Sequence, residues 1–187
     1  MQAARGTSLS DDDTRPGPVR PARGSTRPRA LLAGVALLAF GLDLLTKQLA
    51  VSRLADGDVP LLGDWFVLHL TFNPGAAFSL GTDFTIALSC LAIAAVCVVL
   101  VVARRVGSLV WGLALGLLLG GVAGNLTDRL FRDPGPMRGH VVDLFMVPNW
   151  PVFNVADICI NLAAGLIVLQ AVRGISVDGT RERASSQ

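Results

Sequence analysis

Two aspartates sit where apolar segments meet polar ones. Asp143 ends Val141-Val142-Asp143, and Asp157 closes Phe153-Asn154-Val155-Ala156-Asp157 at the mouth of the last apolar stretch. A carboxylate at a bilayer boundary is costly unless it is paired, hydrated or used. Two carboxyls that share a site cannot both ionise easily, so one pKa rises, one proton is held and the pair titrates as a unit. The ionised partner can take a proton from water while the protonated one hydrogen-bonds a carbonyl oxygen. Taken alone, Asp157 is explained by the dipole at a helix N-terminus, and Asn154 by an N-cap. With Asp143 fourteen residues upstream and no comparable acid in the inner half of any span, a shared acid–base site is the better reading.

The remaining inventory offers no competing chemistry. No serine or cysteine lies beside a plausible base. His69 and His140 are single, without metal-ligand spacing, and read as structural or surface residues. Cys90, Cys97 and Cys159 lie in apolar stretches with no CxxC and read as small buried hydrophobes. No metal and no cofactor is expected. A water-activating pair of carboxyls needs neither, as aspartic proteases demonstrate.

Something must hold these residues at a membrane boundary. Of 187 residues, 52% are hydrophobic and 16% charged, against roughly 25% charged in ordinary soluble domains. The mean hydropathy is +0.57. One membrane domain fits this length. No basic patch is interleaved with aromatics, which argues against nucleic-acid binding. Residues 1–29 are rich in Arg, Pro, Ser and Asp and read as a disordered cytoplasmic tail; residues 174–187 read as a second cytoplasmic tail. Between them, segments at about 30–52, 84–103, 109–129 and 155–173 are each long enough to span a bilayer, which takes about 20 helical residues.

Arginine sets the orientation. Eleven of fifteen fall in the two tails and the Arg104-Arg105 turn, and only Arg53, Arg129, Arg132 and Arg138 fall in the other two loops. That bias puts both termini in the cytoplasm and loops 53–83 and 130–154 outside. In the first outer loop, Phe66, Leu68, Leu70 and Phe72 alternate with less apolar neighbours, and Asn73-Pro74-Gly75 follows with turn chemistry. This predicts a strand in a small sheet on the outer membrane surface. The fold class is therefore an all-α membrane protein of four transmembrane helices with a small extracytoplasmic β-sheet and loop.

Depth then becomes readable. With the first helix starting near residue 30 at the inner face, Asp43 lies about 20 Å and Lys47 about 25 Å up, from a rise of about 1.5 Å per residue. Their i,i+4 spacing favours an ion pair, which either ties helices together or serves the substrate. Asn125, Asp128 and Arg129 end the outward-rising third helix behind the small-residue run Gly120–Gly124, which allows close helix approach. An adjacent Asp128-Arg129 ordinarily forms an interfacial cap or salt bridge. Asp43, Lys47, Asn73, Asn125, Asp128, Arg129, Asp143, Asn154 and Asp157 all map to one depth.

These blocks, in this order, resemble the lipoprotein signal peptidase (signal peptidase II) family of bacterial four-helix membrane aspartic peptidases. The resemblance rests on Asp43-Leu44-Leu45-Thr46-Lys47, Asn73-Pro74-Gly75-Ala76-Ala77-Phe78-Ser79, Gly120 through Arg129 with its GNxxDR pattern, Gly139-His140-Val141-Val142-Asp143 and Phe153-Asn154-Val155-Ala156-Asp157. It implies cleavage of the signal peptide of a prolipoprotein just before a diacylglyceryl-modified cysteine. Asp143 and Asp157 would be the catalytic dyad, and Asp43, Lys47, Asn73, Asn125, Arg129 and Asn154 would support it. Asp128 joins the supporting set by position. The expected partners are the diacylglyceryl-modified prolipoprotein and membrane lipids, with the enzyme a monomer in the bacterial cytoplasmic membrane. The stretch Arg132 to Arg138 is longer than the commonest family spacing. A proton-coupled transporter or channel subunit is the rival class. It would need polar residues through the full depth and often a repeated half, and neither is visible. A structural assembly factor would need no paired acids.

Overall fold

The computed structural model describes residues 26–75 and 85–181. In chain order the elements are α1 (Thr26–Arg53), β1 (Val59–Pro60), β2 (Val67–Asn73), α2 (Thr85–Ala103), α3 (Leu109–Phe131), β3 (Val141–Met146) and α4 (Val155–Val172). All four helices are long and apolar enough to cross a membrane. The chain is a multi-pass membrane protein with a small sheet.

Boundaries differ from the sequence expectation at identifiable places. Residues 1–25 of the expected tail lie outside the described residues, but 26–29 belong to α1. Pro28 falls in the first turn, where a missing N–H is harmless. Phe84, the expected start of the second span, also lies outside the described residues. α3 continues past Arg129 to Phe131, and α4 ends at Val172 with Arg173 as its cap. The expected C-terminal tail is ordered at 174–181. There Ile175 bridges Arg181, Trp111 Nε1 donates to Ile175 O (2.9 Å), and Val177 packs against a cluster of Leu32, Val99, Val106 and Leu115.

Helix packing follows from glycine. α1 buries Pro28, Leu32, Ala36, Ala39, Asp43, Lys47 and Ala50, a seam of three- and four-residue steps. It faces Gly112, Gly116, Gly120 and Gly124 of α3. A methyl at Gly116 would stand 2.7 Å from Leu32 O, and one at Gly120 2.6 Å from Ala36 O. One face of α3 is thus bare backbone. That lets two helices approach without the hydrophobic driving force that lipid cannot supply. Gly121 does the same towards α4, where a methyl would stand 2.7 Å from Ala156 O. α2 packs mainly on α3 and leaves most of its surface to lipid. Cys90 and Cys97 are exposed on it, contrary to the expectation of burial; only Cys159 is buried. An apolar residue in a membrane helix need not face protein.

The sheet has the order β1-β2-β3, all antiparallel. Leu68 and Leu70 of β2 pack with Ala50, Leu54, Val142 and Leu144, seating the sheet on the C-terminal end of α1. A register shift between Leu68 and Thr71 interrupts the alternation, and Phe72 is left exposed. The central consequence is register: Thr71 opposes Asp143 and Asn73 opposes Val141. Asn73 and Asp143 therefore come together on neighbouring strands.

Candidate active site

Lys47 is the hub of the buried half of the site. Its ammonium reaches Asp43 Oδ2 at 2.7 Å, Asp128 Oδ2 at 2.9 Å and Asn125 Oδ1 at 2.9 Å. The contact with Asn125 is a hydrogen bond and those with the two acids are ion pairs; Asp43 Oδ2 has no hydrogen bond of its own. Lys47 and Asp43 have no exposed surface, and Asp128 has 2%. A bare glycine makes this possible, since any side chain at Gly124 would run into the Asp43 carboxylate. The other oxygen of Asp43 accepts from Ala156 N (2.9 Å), tying α1 to the first turn of α4. Asp128 does not pair with its neighbour Arg129, as an interfacial cap would. It accepts from Arg132 Nε at 2.5 Å and Val142 N at 3.2 Å, so α3 grips the start of β3.

Asn125 passes this network on to the two acids. Its Oδ1 accepts from Lys47 and from Asn154 Nδ2 (3.2 Å), and its Nδ2 donates to Asp157 Oδ1 (2.9 Å). Asn154 then contacts both acids. Its Nδ2 donates to Asp143 Oδ1 at 2.6 Å, and its backbone N donates to Asp157 Oδ2 at 3.2 Å. Its own Oδ1 accepts from Asp157 N (3.0 Å), completing a capping box. The helix-cap explanation of Asn154 and Asp157 is therefore realised in the same contacts that join Asp157 to Asp143. Asn73 Nδ2 donates to Asp143 Oδ2 at 2.9 Å, while Asn73 Oδ1 accepts from Gly75 N. Each of the four carboxylate oxygens thus receives a donor.

The two acids differ in setting. Asp143 is 2% exposed. Burial pushes its pKa up to about 6 and the Asp157 charge adds to the rise, against the pull of the Asn73 and Asn154 hydrogen bonds. Asp157 is half-buried and lines a cleft of about 670 Å³. Asn73, Arg129, Leu88 of α2, Trp150, and Ile158 and Leu162 of α4 also line it. Its lining is therefore mostly apolar, with Asn73, Arg129, Asp157 and Asn161 as its polar groups. Arg129 faces the charges of Asp157, Asp143 and Asp128, yet its buried Nε has no hydrogen-bond partner.

Residues 35–173 match the family model described as Signal peptidase (SPase) II. The chain belongs to the signal peptidase II family. A lipoprotein signal peptidase of Rhodococcus jostii (strain RHA1) is 46% identical over 173 residues, covering 92% of this chain and 87% of that one. One from Streptomyces griseus is 42% identical over 176 residues, covering 94% and 89%. Two solved bacterial membrane enzymes share the fold. One has a TM-score of 0.70 at 18% identity, covering 83% of this chain and 95% of that one; the other has 0.68 at 19%, covering 77% and 94%. As a signal peptidase II, the chain is an aspartic peptidase.

Eight of the nine residues singled out from sequence form this hydrogen-bonded network, with Arg129 beside it. Ala76 to Ser79 of the Asn73 block lie outside the described residues. His69 pairs with exposed Asp58 at 2.8 Å, away from the acids. Sequence reasoning missed the cleft walls: Leu88, Ile158 and Leu162 are apolar residues in apolar spans, and Trp150 is a lone aromatic in the loop before α4, so none carries a distinguishing mark. It also missed Arg132, whose i,i+4 spacing from Asp128 was a usable signal.

Proposed function

We propose that this signal peptidase II removes the signal peptide of a diacylglyceryl-modified prolipoprotein, cutting just before the lipidated cysteine, with Asp143 and Asp157 as a proton-sharing dyad. The observation that carries this is Asn154, which donates to both carboxylates and so holds them as one unit. A lipidated cysteine is anchored at the membrane surface, the depth of the acids. The apolar cleft between α2 and α4 receives the adjoining substrate.

Asp143, whose carboxyl is pushed up to about 6, holds the proton and hydrogen-bonds the scissile carbonyl oxygen. Asp157, open to the cleft, takes a proton from water as the water oxygen bonds to the carbonyl carbon. That proton then passes to the amide nitrogen as the C–N bond breaks, freeing the amine of the cysteine and the carboxylate of the signal peptide. Arg129, which lines the cleft, offers its guanidinium to the substrate backbone. Asp43, Lys47 and Asp128 do not touch substrate; they fix Asn125, which holds both Asn154 and Asp157. The enzyme acts as a monomer in the bacterial cytoplasmic membrane, with both termini cytoplasmic and the site near the outer face.

The test is cleavage of one diacylglyceryl-modified precursor by wild type, Asp143→Asn and Asp157→Asn in detergent or nanodiscs. Each variant should insert, melt close to wild type and lose activity by roughly a thousand-fold or more. Turnover near wild type in either variant removes that residue from the chemistry.

A further inference from the structure

α2 contributes no charged residue to the site, yet it carries two buried hydroxyls, Thr85 (2% exposed) and Ser89 (fully buried). They lie one turn apart on the same face. Thr85 Oγ1 donates to Pro74 O at 2.5 Å, and Ser89 Oγ lies 2.8 Å from Met137 O. Both acceptors belong to segments that lead into the site. Pro74 follows Asn73, which donates to Asp143. Met137 lies in the long Arg132–Arg138 stretch, four residues before β3 and six before Asp143. That stretch is tied at its base to α3, where Arg132 pairs with Asp128 and Gly139 N donates to Arg129 O at 3.1 Å. Gly139 passes so close to the end of α3 that a methyl there would stand 2.9 Å from Arg132 O. At its far side Met137 O meets Ser89.

We infer that Ser89 is a positioning residue for this peptidase: with Thr85 it couples α2, one wall of the cleft, to the two segments that hold Asp143. This rests on the reading of Asp143 as half of the dyad. A serine hydroxyl has one hydrogen. Ser89 Oγ also lies 2.9 Å from Thr85 O, its own carbonyl one turn back. The Ser89 hydroxyl therefore has two alternative acceptors, one within α2 and one on the loop. Helical serines commonly use the first. Moving the hydrogen from Met137 O to Thr85 O leaves the serine satisfied inside the membrane, so the link to the loop releases without stranding a hydroxyl in lipid. Leu88, next in sequence, lines the cleft and packs against Gly75, where a methyl would stand 2.6 Å from its Cδ1. A substrate helix that displaces α2 at Leu88 therefore loads both hydroxyl contacts and, through them, the Asn73–Asp143 hydrogen bond. The link gives α2 a way to sense an occupied cleft and report it to the acid that holds the proton.

The decisive comparison is Ser89→Thr against Ser89→Val. The two side chains have nearly the same shape and differ by the hydroxyl. Activity on the lipidated precursor is measured from about pH 4 to 8, with thermal melting alongside. Ser89→Thr should behave as wild type. Ser89→Val should lose roughly 5- to 10-fold in kcat, the size expected for one hydrogen bond, with KM little changed. Its alkaline limb should move to higher pH, because freeing Met137 loosens β3 and with it the Asn73 and Asn154 contacts that pull the Asp143 carboxyl down. Equal kcat and equal pH limbs in the two variants, whatever their melting temperatures, overturn the inference and leave Ser89 a satisfied membrane hydroxyl. Asp143→Asn run in parallel separates the two readings. If Asp143→Asn still cleaves, the dyad fails; if it is dead while Ser89→Val matches Ser89→Thr, only the coupling fails.

Discussion

The acids on the two sides of Asn125 meet opposite fates. On the α1 side, Asp43 and Asp128 share Lys47 as their counter-charge, and none of the three lines the cleft. On the α4 side, Asp157 opens to the cleft, Asp143 carries a raised pKa, and the Arg129 Nε goes without a partner. A neutralised ionic group closed off from any cavity is scaffolding. A group left with spare hydrogen-bonding capacity beside a cavity is available for chemistry. Two sets of acids at one depth are thus told apart by counter-charge and access to the cleft, not by residue type.

The largest effect expected on the scaffold side is from Lys47→Met. It leaves Asp43 and Asp128 buried without a counter-charge, a loss of about 3–5 kcal/mol. Thermal melting in detergent should show a strongly lowered Tm or no folded protein. A Tm within a few degrees of wild type would mean that the ion cluster is not scaffolding. Gly120→Ala tests the bare face of α3 that brings Asp43 and Lys47 into register. Its methyl would stand 2.6 Å from Ala36 O, and such overpacking costs roughly 1–3 kcal/mol. The same substitution at Gly165, inside α4 with open space around it, should not lower the melting temperature and should raise it slightly, since alanine is the better helix former.

On the cleft side, pH is the finer probe. The Asp143 pKa is raised in the folded protein, from 3.8 to about 6. Protonation therefore favours the folded state. This group's contribution to stability is full below 3.8 and is lost as pH rises through about 6. Comparing melting temperatures of wild type and Asp143→Asn from pH 4 to 7 should isolate that slope, which the variant lacks. A wild type whose slope matches the variant's would place the titration elsewhere. Smallest of all should be the response to EDTA, since two carboxyls and water suffice; a loss of activity restored by zinc would point to a different mechanism.

The site was more legible in the sequence than the fold around it. Asp43, Lys47, Asn125, Asp143, Asn154 and Asp157 stand out because charge and amide groups are rare in apolar spans, so each marks a place where lipid is absent. β3 was not legible. Val141–Met146 is a short apolar run with one acid and no alternation, and its pairing with β2 is a long-range contact. The partners of Asp128 were hidden for a similar reason: Lys47 lies on another helix, and the adjacent Arg129 was the obvious and wrong candidate. The ordered stretch at 174–181 was masked by its polar composition, although Val177 supplies an apolar anchor. Pattern reveals which residues are expensive in a membrane; only tertiary packing reveals which of them are neutralised.

The central claim is that the Asp143 carboxyl feels the charge of Asp157, as a dyad requires, and carboxyl-resolved titration tests it most directly. Infrared or carbon-13 spectra of the wild type should show the Asp143 carboxyl titrating near 6. In Asp157→Asn, removing the neighbouring charge should lower that value while burial still keeps it above 3.8. An Asp143 carboxyl that titrates at the same pH with and without Asp157 would contradict the claim.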